Sequence, residues 1–168
     1  MWARNRFLVD KRGLTASLAA LLCIGGCPPA ASRALSGLGT SIVPGVYTGS
    51  GTLIFQCNDG SAPIEMSAST SFELTADGRI IVDGAELSQG AVTQSFDGSV
   101  SIVTNIAINS DSVLIQFRGT DGTGAPTTSS YTYTRVDDRT VHLASQMTAI
   151  STSPAAVCEG QVDATLVR

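Results

Sequence analysis

His142 is the only histidine of the 168-residue chain, and histidine is the side chain that most often serves as a general base. Asp137 and Asp138 stand close before it, and a His/Asp pair can activate a nucleophile in a hydrolase. The sequence contains no G-x-S-x-G nucleophile elbow to complete such a site. His142 alternates with the apolar residues Val141 and Leu143, which predicts that it lies on the solvent face of a strand.

Paired carboxylates are the second arrangement that could do chemistry. Glu65 and Glu73 lie on one face of a predicted strand, eight positions apart, so their backbone positions are separated by about 26 Å. Glycosidase carboxyl groups lie within about 10 Å of each other, so this pair does not form such a site. The sequence also lacks a phosphate-binding loop, a dinucleotide fingerprint and a set of zinc ligands. It therefore predicts no catalytic residue, no metal site, no cofactor and no enzyme activity.

Cys57 and Cys158 are the two cysteines that fall within predicted strands. Cys57 ends the first strand, about 46–57, and Cys158 begins the last, about 157–167. Each lies on the apolar face of its alternating strand, so the two side chains are opposite if these strands are antiparallel neighbours. We predict a disulfide between them, as is usual for paired cysteines in an oxidising compartment. Two buried free thiols are the alternative.

The first 26 residues have the layout of a secretory signal peptide. A basic segment over 1–13 precedes an apolar run over 14–24, and small residues follow it. The apolar run is shorter than the roughly 20 residues that a spanning helix requires. We therefore expect export to the cell envelope and removal of this segment.

Ile24-Gly25-Gly26-Cys27 resembles the lipobox of bacterial lipoproteins, with an aliphatic residue and two small residues before a cysteine. The resemblance implies that Cys27 carries a diacylglyceryl group and becomes the first residue of the mature protein. Two or more acyl chains hold a protein stably on a membrane, so the domain would be lipid-anchored. Pro28 stands where some bacteria place the Asp that retains lipoproteins at the inner membrane, which favours the outer membrane. Cleavage near Ala31 or Ser32, giving a soluble secreted or periplasmic domain, is the alternative.

The predicted organisation is a signal peptide over 1–26, a flexible tether over 27–43 and a β domain over 44–168. The tether is rich in Pro, Ala, Ser and Gly and shows no periodicity. The formal net charge of the chain is −4, but four of its ten basic residues and only one of its 14 acidic residues precede Cys27. The remainder is therefore acidic, which disfavours nucleic acid as a partner.

From Pro44 onward the pattern is alternation with a period of two. The segment 64–76 places apolar side chains on one face and Glu, Ser and Thr on the other, and Asp77-Gly78 after it is a hairpin signal. Similar segments and turns predict eight or nine strands and no helix after the signal. We expect an all-β fold, an antiparallel barrel closed by the first and last strands, with a β-sandwich as the alternative.

Gly45-Val46-Tyr47 and the terminal Arg168 are similar to lipocalin-type barrels, in which an early Gly-x-Trp packs under a late Arg. Tyr47 stands in place of that tryptophan. The resemblance implies a barrel fold only, and an eight-stranded barrel can be filled by side chains or hold one small ligand.

Two functions are consistent with the sequence. The first is a non-enzymatic, lipid-anchored envelope protein that acts through structural or partner contacts. The second is a carrier of a small apolar ligand, because the predicted inward faces contain many small residues that would leave space. The same faces also contain large side chains that could fill it: Phe55, Met66, Phe72 and Phe117. The expected partners are the membrane, through the lipid anchor, and an unidentified protein or apolar ligand.

Overall fold

The computed structural model describes residues 40–94, 98–152 and 155–168, which contain ten β-strands. They are β1 (Gly45–Cys57), β2 (Ile64–Leu74), β3 (Ile80–Val82), β4 (Ala85–Leu87), β5 (Val92–Gln94), β6 (Val100–Ile108), β7 (Ser112–Thr120), β8 (Pro126–Arg135), β9 (Thr140–Thr152) and β10 (Ala155–Val167). Within the described ranges, no helix is long and apolar enough to cross a membrane. Cys27 and the predicted signal peptide lie outside the described residues.

The ten strands form one antiparallel sheet in the order β4-β3-β2-β1-β10-β9-β8-β7-β6-β5, which confirms the predicted all-β class. The first and last strands are neighbours, in register from Thr48 opposite Val167 to Cys57 opposite Cys158. A disulfide joins these two cysteines, consistent with the strand pattern.

The predicted barrel closure is wrong. The β1–β10 pair lies in the middle of the sheet, and the sheet is an open half-barrel whose margins are β4 and β5. Each of these strands has three residues and offers few backbone groups for a closing ladder. The strand count is ten, not eight or nine, and the single sheet does not form the two layers of the alternative sandwich.

β1 and β10 approach each other unusually closely at two glycines. A methyl group at Gly49 would lie 2.2 Å from the Thr165 carbonyl oxygen, and one at Gly51 would lie 2.1 Å from that of Asp163. Only glycine fits at these positions, and glycine in a strand commonly marks such a close approach or bend. The two glycines therefore help to bring the inner face of β2 opposite that of β8.

The residues before β1 cover one end of the half-barrel, here called the arm end. Ile42 is only 2% exposed and belongs to the core, although the sequence pattern assigns it to the tether. Ser41 N donates to Ser110 O, and the hydroxyl of Tyr47 donates to Val43 O at 2.5 Å. The opposite end, here called the disulfide end, carries Cys57 and Cys158.

Arg168 contacts the residues at the start of β1, at the arm end. Arg168 donates from Nη1 to Pro44 O at 3.1 Å, and a methyl group at Gly45 would lie 2.4 Å from Arg168 Cδ. The Arg168 side chain therefore packs directly over Gly45.

Candidate functional site

Burial along the inner face of the sheet falls from the arm end to the disulfide end. Near the arm end, the aromatic side chains of Tyr47, Phe72 and Tyr133 are fully buried. Near the disulfide end, a row of residues that lie opposite each other on neighbouring strands crosses β1, β10, β9, β8 and β7. All of its side-chain-bearing members are only partly buried. The row consists of Phe55, Gly160, Met147, Ser129 and Phe117. This row forms a partly exposed, largely apolar strip on the inner face of the half-barrel, here called the inner cleft.

The apolar walls of the inner cleft combine aromatic rings and flexible side chains. The Phe55 ring covers Gly160, where a methyl group would lie 2.9 Å from Phe55 Cδ2. Phe117 meets Tyr131 edge to face, with ring centroids 5.5 Å apart. Met66 and Met147 are also only partly buried, and methionine adapts its shape to what it contacts. Such walls suit an apolar ligand of variable shape.

A polar floor lies beneath these walls, at the β3–β4 turn. Asp83 occupies this turn with a φ of 51°, and its Oδ1 accepts from Ser71 N at 2.7 Å. Its Oδ2 accepts from the hydroxyl of Thr70 at 3.2 Å, and Thr70 is 8% exposed. The carboxylate therefore caps the backbone of β2 where the short β3 ends.

The edge of β2 beside this floor is unpaired over much of its length, because β3 pairs only with Phe72–Leu74 of β2. Among the described strands, residues 64–70 of β2 have ladder partners on β1 alone. The other margin, β5, pairs only with β6. Asp83 therefore lies beside the part of β2 that has no described partner strand on the side away from β1.

The Tyr133 hydroxyl is the least satisfied polar group of the site. Tyr133 is 0% exposed, its ring stacks on Phe72 at a centroid distance of 4.2 Å, and its hydroxyl has no hydrogen-bond partner of acceptable geometry among the described residues. The nearby Thr70 hydroxyl only partly offsets the burial that raises the pKa of Tyr133 far above its ordinary value. Buried polar groups without a partner are rare in native proteins. The hydroxyl stays protonated at neutral pH and can donate to a bound acceptor.

The charge of the inner cleft is weakly acidic. Burial raises the pKa of the Asp83 carboxyl, although hydrogen bonds from Ser71 and Thr70 act in the opposite direction. Burial also raises the pKa of Tyr131, which therefore remains neutral. The described residues that line the cleft include no lysine or arginine, so the cleft offers no cation to an anionic ligand.

His142 lies on the outer face, as the alternation predicts. Its Nε2 lies 3.0 Å from Asp163 Oδ1, and both side chains are solvent-accessible. The sequence pattern paired it with Asp137 and Asp138, but Asp137 Oδ1 instead accepts from Arg139 N in the β8–β9 turn. The β9–β10 register, which places Thr165 opposite His142, brings Asp163 to it diagonally.

The other features that the sequence predicted do not lie in the inner cleft. Glu65 and Glu73 lie on the outer face of β2. Among the described residues, no group of three His, Cys, Asp or Glu side chains could hold a metal ion. No sequence motif marks Asp83 or Tyr133 as a functional residue. Asp83-Gly84 was visible only as a turn signal, and Tyr133 only as an alternating strand residue.

The fold and site define an open, curled all-β half-barrel with an amphipathic inner cleft. Comparison with known proteins adds no relative: no protein-family model matches the chain, and no curated protein or solved structure gives a significant match.

Proposed function

We propose that the protein is a non-enzymatic binding protein that carries a small apolar ligand with a neutral, hydrogen-bonding head group in its inner cleft. The unpartnered hydroxyl of Tyr133, fully buried beneath a partly exposed apolar row, is the observation that carries this proposal. A ligand head group that accepts from this hydroxyl would remove the cost of leaving it unsatisfied.

The chemistry of the lining restricts the ligand class. The body of the ligand would lie against Phe55, Met147 and Phe117, which are apolar and only partly buried. The head group would lie near Asp83, whose carboxylate repels an anion when it is charged. We therefore expect alcohols, amides or esters with an apolar chain, rather than fatty acids.

We further propose that the protein is anchored through Cys27 in the outer membrane of a bacterial cell envelope, because residues 24–27 match a lipobox directly after an apolar run. An anchored domain would meet amphiphiles at the membrane surface. Mass spectrometry of the mature protein tests this part separately. A diacylglyceryl group on Cys27 is expected, and an exported protein with unmodified Cys27 would contradict it.

Ligand binding is tested by displacement of the fluorescent apolar probe N-phenyl-1-naphthylamine from the purified protein. Three competitors with the same alkyl chain separate the contributions of the head group: 1-dodecanol, dodecanoate and dodecylamine. We expect the alcohol to compete at least about tenfold better than the anion, which corresponds to about 1.4 kcal/mol. Equal competition by all three would show that the polar floor does not contact the ligand.

Two neighbouring residues of β1 provide a matched pair of variants. Phe55 points into the inner cleft, whereas Ile54 lies on the outer face and is 44% exposed. Phe55→Ala should weaken probe binding by about tenfold or more, since burying an aromatic side chain is worth about 1.5–3 kcal/mol. Ile54→Ala should leave probe binding unchanged, and an equal effect of both variants would locate the probe elsewhere.

The second candidate function, action through surface contacts, is favoured by one observation at the sheet margin. Val92 on β5 and Ile102 on β6 are opposite each other and are 54% and 44% exposed. An exposed apolar pair beside an unpaired strand edge can accept a further strand. Sedimentation of the wild type and of Val92→Lys tests whether a second copy pairs there. If both proteins sediment as monomers at every concentration, self-association through β5 is ruled out.

A further inference from the structure

A second hollow, here called the outer hollow, lies on the opposite face of the sheet over β6–β9. It has a volume of about 290 Å³, at the lower end of the range for small-molecule sites. Its lining consists mainly of amide and hydroxyl side chains with one guanidinium: Thr104, Gln116, Phe117, Arg118, Thr128, Ser129, Ser130, Gln146 and Thr148. No acidic side chain lines it, although the chain has more acidic than basic residues.

A β-bulge shapes this hollow. The β6–β7 register shifts between Val103 and Asn105, so Thr104 is the extra residue of β6. Its hydroxyl donates to Gln116 O at 3.1 Å, and Asn105 Nδ2 donates to Gln116 Oε1 at 3.2 Å. The second contact fixes the side-chain amide of Gln116 through its oxygen and leaves its NH₂ group for other acceptors. Bulges are common beside functional sites, where they redirect side chains.

Arg118 has no acidic partner within the described ranges, and no hydrogen bond to its guanidinium is present there. Arg79 and Arg135, by contrast, each form an ion pair with an aspartate. Across the neighbouring strands, the residues in register with Arg118 are Thr128 on β8, Thr148 on β9 and Glu159 on β10. Glu159 is the first acidic residue in this direction. Three strand spacings place Glu159 about 14 Å away, beyond the distance of an ion pair.

The carboxylate that is closest to Arg118 along the chain is also engaged elsewhere. Asp121 Oδ1 accepts from Thr123 N at 2.8 Å and from Ala125 N at 2.9 Å, which holds it within the β7–β8 turn. Among the described residues, the guanidinium of Arg118 therefore has no carboxylate partner, which leaves its donors for an external anion. Its planar set of donors matches a carboxylate in bidentate geometry.

We infer that the outer hollow binds an acidic saccharide, with the ligand carboxylate on Arg118 and its hydroxyl groups on Gln116, Gln146 and the surrounding Ser and Thr side chains. A bare inorganic anion would engage Arg118 but leave the amides and hydroxyls unused. A neutral sugar would engage those groups but leave the guanidinium unused. The combination of one cation with many neutral hydrogen-bonding groups fits a ligand that carries both chemistries. Phe117 and Ser129 belong to the linings of both sites, and the other lining residues of the outer hollow lie outside the inner-cleft row.

The test is a titration of the ¹⁵N-labelled purified protein with digalacturonic acid, followed by NMR. Neutral digalactose and sodium sulfate are the comparison ligands. We expect digalacturonic acid to shift the side-chain resonances of Gln116, Gln146 and Arg118, and to bind at least about tenfold more tightly than either comparison ligand. Equal affinity for digalactose, equal affinity for sulfate, or shifts confined to other residues would each overturn the proposal.

Two arginine variants with the same charge change provide the control. Arg118→Gln should weaken binding of digalacturonic acid at least about tenfold. Arg139→Gln should not, because Arg139 is exposed in the β8–β9 turn, outside the hollow. An unchanged amide spectrum away from the hollow checks that each variant is folded. If both variants weakened binding equally, the effect would be due to the net charge of the protein, and the proposed site would be refuted.

Discussion

Replacing Tyr133 with phenylalanine should stabilise the ligand-free protein, although most substitutions destabilise. The Tyr133 ring is 0% exposed and stacks on Phe72, and phenylalanine keeps both features. The hydroxyl lacks a partner among the described residues, and a buried unsatisfied polar group costs about 1–3 kcal/mol. We therefore expect Tyr133→Phe to raise the free energy of unfolding by about 1–2 kcal/mol.

Urea unfolding at neutral pH measures this change. With a slope of about 2 kcal/mol per molar urea, the midpoint should rise by about 0.5–1 M at unchanged slope. The same variant should bind the alcohol competitor more weakly, because the donor to the head group is gone. A gain in stability combined with a loss of binding is the expected signature of a hydroxyl that serves the ligand.

Tyr47→Phe is the matched control, since the same atom is removed from another fully buried tyrosine. The Tyr47 hydroxyl donates to Val43 O, so its loss should destabilise by about 1–2 kcal/mol. A double-mutant cycle of Tyr133→Phe with Thr70→Val checks the nearest hydroxyl. If Tyr133→Phe destabilises by about 1 kcal/mol or more and couples to Thr70, the hydroxyl is bonded to Thr70 and the reasoning is refuted.

Three further predictions address the rest of the fold. Asp83→Asn should gain stability relative to the wild type as the pH rises above about 4, because burial raises the folded pKa of Asp83. The destabilising effect of the charged carboxylate is absent below the unfolded pKa of about 3.9 and grows as the pH rises through the folded pKa. A difference in unfolding free energy that does not change with pH would contradict this. Gly51→Ala should destabilise by about 2 kcal/mol or more, since its methyl group would meet the Asp163 carbonyl, and thermal unfolding measures the loss. Cys57→Ser with Cys158→Ser should cost about 4–5 kcal/mol in urea unfolding, because the bond closes a loop with a sequence separation of 101, and a loss below about 1 kcal/mol would show that the loop entropy is not the main contribution.

The sequence predicts the fold best in long strands, where apolar and polar residues alternate over many positions. β1 and β10 each have 13 residues, so their buried faces, and with them the register of Cys57 and Cys158, follow from the period of two. Closure could not be predicted in this way. It depends on β4 and β5, whose three residues each are too few to show a period, so the open margin was not visible in the sequence.

The candidate site was less predictable than the fold, because it depends on contacts between distant strands. That Phe55, Met147 and Phe117 share the inner face follows from alternation, but that they are only partly buried depends on the curl of the sheet. Asp83 and Thr70 are 13 positions apart and meet only because β3 is short. Tyr133 meets Phe72 only because β2 and β8 face each other across the half-barrel.

Three features that reduce stability lie along the inner side of the half-barrel: a partly exposed apolar row, an unsatisfied buried hydroxyl and an open sheet margin. Sequences tend to be consistent with their fold at every level, and departures concentrate at functional sites. Tyr47, the other fully buried tyrosine, shows no comparable departure, because its hydroxyl is bonded. If the departures were only imperfections of folding, repairing one of them with Tyr133→Phe would increase stability without any loss. A loss of ligand binding in that variant is therefore the result that separates a binding site from an imperfectly packed core.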